Sequence, residues 1–232
     1  MDLEALLNYP RALPAMSRTV SDLLAEMNKE DPSPKRVASL VAHDPALTTR
    51  VLRLSNSAFF RVSRQIGSAE EAVALLGMTH VRSLVMAAAL GSSFKNVPGV
   101  DMVQFWRYSL RVADISRSLA SLLRQNEGNA FTAGLVHAIG DLIMHIAMPD
   151  VIGPIDMGTP PLDLRRAEVE RSVLGYTYAE VGAGMAEKWQ FPTTIVSALK
   201  HQTAPFEGEV YDALGGVLHL ASWRARAEEI QL

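Results

Sequence analysis

The 232-residue sequence contains no cysteine. Disulfides and thiolate metal sites are therefore excluded, and a reducing cytoplasm is the expected compartment. A large excess of either charge is lacking too. The net value is −3, so no global basic field draws in nucleic acid or anionic membrane. The longest apolar run, around Leu84–Leu90, is shorter than a bilayer span. Met1-Asp2-Leu3-Glu4 has neither the positive start nor the apolar stretch of a secretory leader. No glycine-rich phosphate loop occurs and no Gly-x-Ser-x-Gly elbow, so nothing points to a nucleotide cradle or a serine hydrolase. No segment alternates like a strand, and no repeat or low-complexity tract is present. With 48% hydrophobic and 20% charged residues, the chain has the composition of a soluble globular protein.

What is present is helix. Val20, Leu23, Leu24 and Met27 fall on one helical face. Ser33-Pro34 and Asp44-Pro45 each read as an N-cap followed by proline at the first helical position. Ser68-Ala69-Glu70-Glu71 and Thr177-Tyr178-Ala179-Glu180 have the pattern of capping boxes, and Gly77 and Gly91 read as helix stops. Ser92–Asp101 reads as the connector between two lobes, with a long helix starting near Val103. Gly153–Asp163 reads as a loop, because its glycines and prolines break helix. The expected fold is all-α.

Several segments, taken in order, carry a resemblance. They are Leu13-Pro14, Asp44-Pro45-Ala46-Leu47-Thr48 and Arg50-Val51-Leu52-Arg53-Leu54-Ser55-Asn56-Ser57-Ala58. Next come Ala72-Val73-Ala74-Leu75-Leu76-Gly77 and Phe105-Trp106. Gly134-Leu135-Val136-His137-Ala138-Ile139-Gly140 and Trp189-Gln190-Phe191-Pro192 complete the series. Over roughly residues 10–225 the chain resembles the HDOD family, a bacterial signalling family and divergent relative of the HD metal-dependent phosphohydrolases. The resemblance implies an N-terminal helical lobe (1–95) packed on an HD-like helical lobe (96–232), forming one module.

The resemblance also implies where metal ligands would stand. The first ligand histidine is replaced by Tyr108. The His-Asp pair that names the superfamily is His137-Ala138, so a carboxylate has become a methyl group. A further histidine position is Tyr178, the following His-His pair is His201-Gln202, and the late aspartate is Ser222. Neutral phenols, with a pKa near 10, are poor ligands at pH 7. Without its carboxylates the cage lacks counter-charge for a dication. His137, Asp141 and His145 are spaced i, i+4, i+8, close to one helical face. They read as a polar stripe in which Asp141 accepts from a histidine, with a relocated metal site as the alternative.

Other features have their own readings. Asp44, Asn56, Ser57 and Trp189 read as structural, with Trp189 an anchor buried where one helix ends and the next begins. Phe105, Trp106 and Tyr108 read as core rather than a base-stacking platform. Methionines 78, 86, 102 and 144 read as core filler. From residue 35 to 64, Lys35, Arg36, Arg50, Arg53, Arg61 and Arg64 face the single acid Asp44, a balance of +5 that leaves −8 for the remainder. Arg53, Arg61 and Arg64 are the candidate partner-binding residues, either as a docking face or as partners of acidic helices within the fold.

The expected function is a non-catalytic regulatory module that binds another signalling protein, with no cofactor, no metal and no membrane partner. Family members often sit beside receiver or cyclic-dinucleotide domains, and no such domain is visible in this sequence. One alternative is a metal-dependent phosphohydrolase with a rearranged site of His137, Asp141 and His201. Another is nucleic-acid binding through residues 35–64, with Pro45–Ala58 as a groove-reading helix.

Overall fold

A computed structural model describes residues 1–9, 17–56, 62–94, 96–207 and 211–230. Leu13-Pro14, Ser57 and Arg61 lie outside these described residues. The described residues form helices and no strand. They divide into two compact units. One is Ala15–Ser93, and the other is Met1–Pro14 with Phe94–Leu232.

The smaller unit is built from α2 (Arg18–Met27), α3 (Pro34–Ala42), α4 (Pro45–Ser55) and α5 (Ala69–Ser93). Local chemistry sets its boundaries. The Ser33 hydroxyl accepts from Arg36 N–H and the Asp44 carboxylate from Leu47 N–H, each just ahead of a proline whose missing donor costs nothing there. Val20, Leu23, Leu24 and Met27 all lie on the buried face of α2. Gly77 interrupts α5 with φ +78°, a backbone shape that only glycine adopts without strain. Gly91 does not stop the helix, which runs on to Ser93. Ser68 accepts from Glu71 N–H, but the Glu71 carboxylate returns to Gly67 N–H rather than to Ser68. The reciprocal bond falls one residue upstream of the expected one.

The larger unit contains α1 (Leu3–Leu7) and α6 (Met102–Leu122), then α7 (Glu127–Val136), α8 (Ile139–Ala147) and α9 (Pro149–Gly158). It continues with α10 (Arg166–Leu174), α11 (Tyr178–Lys188), α12 (Thr193–His201) and α13 (Ala213–Glu229). Helix α6 packs against α7 and α13, α11 against α8 and α12, and α1 against α11. The predicted loop at Gly153–Asp163 is helical as far as Gly158. Pro149 occupies the first turn of α9, and Pro154 withholds a hydrogen bond only from the exposed Asp150 end.

Two stretches, Ala69–Ala89 and Glu127–Ala147, are long and apolar enough in composition to cross a membrane, which revises the shorter run read from the sequence. The second is 83% buried inside the protein and breaks between α7 and α8.

That break matters for the site. At Gly134 a methyl group would lie 2.5 Å from the Ala113 Cα of α6. At Gly140 it would lie 2.0 Å from the Tyr178 carbonyl oxygen of α11. The two glycines let α7 close onto α6 and α8 onto α11, and His137-Ala138 sits at the turn between them.

Candidate functional site

A cavity of ≈ 240 Å³ opens at this turn. Tyr108 from α6, His137 and Ala138 from the α7–α8 turn, Asp141 from α8, Tyr178 from α11 and Arg226 from α13 all line it. Val100, Asp101, Gln104, Phe105, Leu162 and Arg166 form further walls.

His137 is fully buried and donates from Nδ1 to the Gly134 carbonyl at 2.8 Å. That bond fixes the tautomer, so Nε2 is left as an acceptor, and it has no hydrogen-bond partner. Burial holds the imidazole down to about 3, so it is neutral at physiological pH. Its ring meets Tyr108 edge to face, with centroids 5.0 Å apart.

Arg226 ties the two tyrosines together. Its Nε donates to the Tyr108 hydroxyl at 3.2 Å and its Nη2 to the Tyr178 hydroxyl at 3.1 Å. Burial pushes Tyr108 up to about 12 and raises Tyr178 as well, so both phenols are neutral. Burial opposes the Arg226 charge, yet the two phenol oxygens raise its pKa above the ordinary value.

Below the cavity lies a buried charge network. Arg166, 1% exposed, donates to Asp141, Asp156 and Glu170, and also to the Thr159 carbonyl at 2.7 Å. The second Glu170 oxygen accepts the Tyr178 N–H at 2.7 Å, which anchors the start of α11. His145 is held from both sides. Nδ1 donates to the Asp141 carbonyl at 2.8 Å and Nε2 to the Asp156 carboxylate at 2.8 Å. Burial disfavours its charge, but Asp141 and Asp156 outweigh that and raise its pKa. Burial also raises Asp141, and it pushes Glu170 up to about 7 against the pull of Arg166.

The expected single stripe of His137, Asp141 and His145 is divided. His137 caps the end of α7, whereas Asp141 and His145 share α8. Asp141 does accept from His145, through its backbone carbonyl, and its carboxylate lies 3.5 Å from the same ring nitrogen. His201 does not line the cavity. It is partly exposed on α12, 3.3 Å from the Ser197 hydroxyl. Gln202 Nε2 donates to the His137 carbonyl at 2.9 Å. Ser222 donates to the His219 carbonyl, and its own carbonyl accepts from Tyr108 at 3.4 Å.

The remaining sequence candidates lie elsewhere. Phe105 and Tyr108 are buried, as are Met86 and Met144, while Trp106, Met78 and Met102 are only partly covered. Trp189 is 7% exposed at the end of α11. Asn56 clasps the backbone. It donates to the Leu52 and Ile66 carbonyls and accepts from Ile66 N–H, at 2.8, 2.8 and 2.7 Å. Arg53 is exposed on α4, and Arg64 is an exposed residue of a bend that pairs with Glu71 at 3.3 Å.

Sequence reading missed Arg226 and Arg166. For Arg226 a signal was present. It stands four residues beyond Ser222, on the same helical face as a position that would carry a ligand. Arg166 and Glu170 show the same i, i+4 spacing.

A protein of Shewanella amazonensis SB2B, named as a candidate phosphohydrolase, has a similar structure. Its TM-score is 0.86, with 34% identity over 98% of this chain and 81% of that one. A Marinobacter aquaeolei VT8 protein, named as a candidate signal transduction protein, superposes with a TM-score of 0.76 and 22% identity over 100% of this chain and 56% of that one. An uncharacterized protein of Treponema pallidum (strain Nichols) is 21% identical over 92% of this chain, which spans 42% of that relative's length. The family model for the HDOD domain matches residues 13–205. With the family motifs in order and that match covering most of the chain, this protein belongs to the HDOD family.

Proposed function

We propose that this chain is a non-catalytic regulatory module of cytoplasmic signal transduction that acts by binding another protein. One observation carries the reading. The Arg226 guanidinium is hydrogen-bonded to both phenols that stand at two of the expected ligand positions. A dication placed there would meet a fixed positive charge and neutral oxygens. Ala138 supplies no carboxylate, and the Asp141 carboxylate is already engaged by Arg166. His137 Nε2 is a single nitrogen donor. This set does not fit a divalent metal, which needs several N or O ligands and counter-charge.

The partner surface we assign is the basic segment 35–64, with the exposed Arg53 and Arg64 as contacts for an acidic protein face. The Arg64–Glu71 pair is solvent-exposed, so it competes only weakly with a partner carboxylate. Nucleic acid is the less favoured partner because the net charge of the chain is −3.

A second reading has its own support. His137 Nε2 is buried and unpartnered beside a cavity, and the Shewanella neighbour carries a phosphohydrolase name. A hydrolysis assay with manganese, magnesium or iron against nucleotides, cyclic dinucleotides and simple phosphodiesters separates the two. The regulatory reading expects background rates. Turnover that survives repurification and disappears in His137→Ala would establish the enzyme instead. Capture from host extract, compared between the parent and Arg53→Glu/Arg64→Glu, tests the partner face. Equal capture of the same protein by both would remove that face.

A further inference from the structure

Two polar groups at the cavity are left unanswered by the protein. The first is the Arg226 charge. Among the described residues no carboxylate pairs with it, and its hydrogen-bond partners are two neutral phenols. The nearby acids are committed elsewhere. Asp101 accepts from the Val103 and Gln104 N–H groups at the start of α6. Asp163 is gripped by Arg165 through Nε and Nη2 and meets Arg226 only through its longer-range field. Asp141 belongs to Arg166. The other cation on the cavity, Arg166, is answered by three carboxylates. A guanidinium has five N–H donors, and Arg226 spends one on each phenol. It therefore keeps the capacity for a further charge-assisted pair. Its contacts are neutral, so the site keeps a net positive charge that an oxyanion in the cavity would answer with a charge-assisted pair.

The second group is His137 Nε2, fully buried, with no partner and its tautomer locked from the far side of the ring. It can accept from a ligand hydroxyl or N–H. Phe105, Val100, Pro161 and Leu162 complete the walls with apolar surface. A volume of ≈ 240 Å³ suits a compact molecule rather than a dinucleotide.

We propose that this cavity binds a small organic oxyanion, a phosphate monoester or a carboxylate on a compact apolar body, with Arg226 holding the anion and His137 Nε2 accepting a hydrogen bond. The proposal rests on the regulatory reading in one respect, that Arg226 rather than a metal answers the ligand. It gives the module an input, since a ligand that binds one state better than another shifts the population.

Calorimetric titration of the intact chain with phenyl phosphate, benzoate and uncharged benzyl alcohol tests it, with phosphate release followed in parallel. Binding of at least one anion and none of the alcohol is expected. Arg226→Gln should weaken anion binding by about tenfold or more, the loss of one charge-assisted bond. Leu162→Trp, a change in the loop before α10, should block the cavity while leaving Arg226 in place. If Arg226→Gln fails to fold, Leu162→Trp decides alone. Equal binding of alcohol and anion would overturn the proposal, as would unaltered binding in a folded variant or no anion bound up to about 10 mM. Phosphate released from bound phenyl phosphate would sink the non-catalytic reading and leave the anion site standing.

Discussion

The Arg226 side chain reaches from the last helix to the Tyr178 hydroxyl, 3.1 Å from its Nη2 and 48 residues away in sequence. The two phenols stand where the family resemblance implies ligand histidines. Both hydroxyls accept from Arg226 and hold a cation at the cavity. Restoring ligand types alone should therefore fail to restore metal. Elemental analysis of Tyr108→His/Ala138→Asp/Tyr178→His, purified without chelator, should find no stoichiometric zinc, iron or manganese, as for the parent. Adding Arg226→Ala should raise the metal content. Full loading of the triple variant with Arg226 intact would show that the guanidinium is no barrier.

Trp189 closes α11 and is 7% exposed, followed by Gln190 at φ +55° and Phe191-Pro192. The ring is buried where α11 gives way to α12. Trp189→Ala should cost about 3–5 kcal/mol from lost burial and the cavity left behind. A melting temperature within a degree or two of the parent would contradict this.

Asn56 clasps the backbone at Leu52 and at Ile66. Its side chain makes three backbone hydrogen bonds, two of them to Ile66 across a ten-residue gap. Asn56→Ala leaves the Ile66 N–H and C=O without these partners, at roughly 1–3 kcal/mol. Amide exchange at Ile66 should accelerate far more than exchange within α2. Unchanged protection at Ile66 would show that water replaces the clasp without loss.

What the sequence made legible was local. Ser33, Asp44 and Thr177 act on backbone within three residues, and each starts the helix it announces. Gly77 stops its helix because positive φ is an intrinsic property of the position. Gly91 misled because a glycine without that demand is merely a weaker helix former. Pro154 misled because its cost depends on which carbonyl it orphans, and that end of α9 is exposed. Tyr108, His137 and Tyr178, singled out by motif order, do line one cavity, but nothing in that order pointed to Arg226 beside them. Arg226 lies 118 residues from Tyr108, and only packing brings them together.

The buried network around Arg166 yields a dependence on pH with a definite sign. Glu170 rises from 4.5 unfolded to about 7 folded, mainly through burial, so the folded state binds its proton more tightly. Stability from this group is present below the unfolded value and is lost as pH climbs from about 4.5 to 7. His145 acts in the same direction. Burial opposes its charge, but the Asp141 and Asp156 carboxylates raise its pKa above 6.5, so its contribution fades as pH rises through the folded value. Asp141, also raised by burial, adds to the trend. Exposed carboxylates with lowered values, such as Glu71 and Glu228, act oppositely, but only below about pH 4.5. The protein should therefore be more stable in urea at pH 5.5 than at pH 7.5. One proton contributes at most about 1.4 kcal/mol per pH unit. Glu170→Gln keeps an acceptor for the Tyr178 N–H while removing the titration, so its slope over this range should be shallower. Arg166→Met should destabilise by about 3–5 kcal/mol at pH 7.5, where it strands the carboxylates it holds, and by less at pH 5.5, where Glu170 is protonated. Stability that climbs from pH 5.5 to 7.5 in the parent, or an identical slope in Glu170→Gln, would mean that Glu170 is ionised throughout, with Arg166 outweighing its burial.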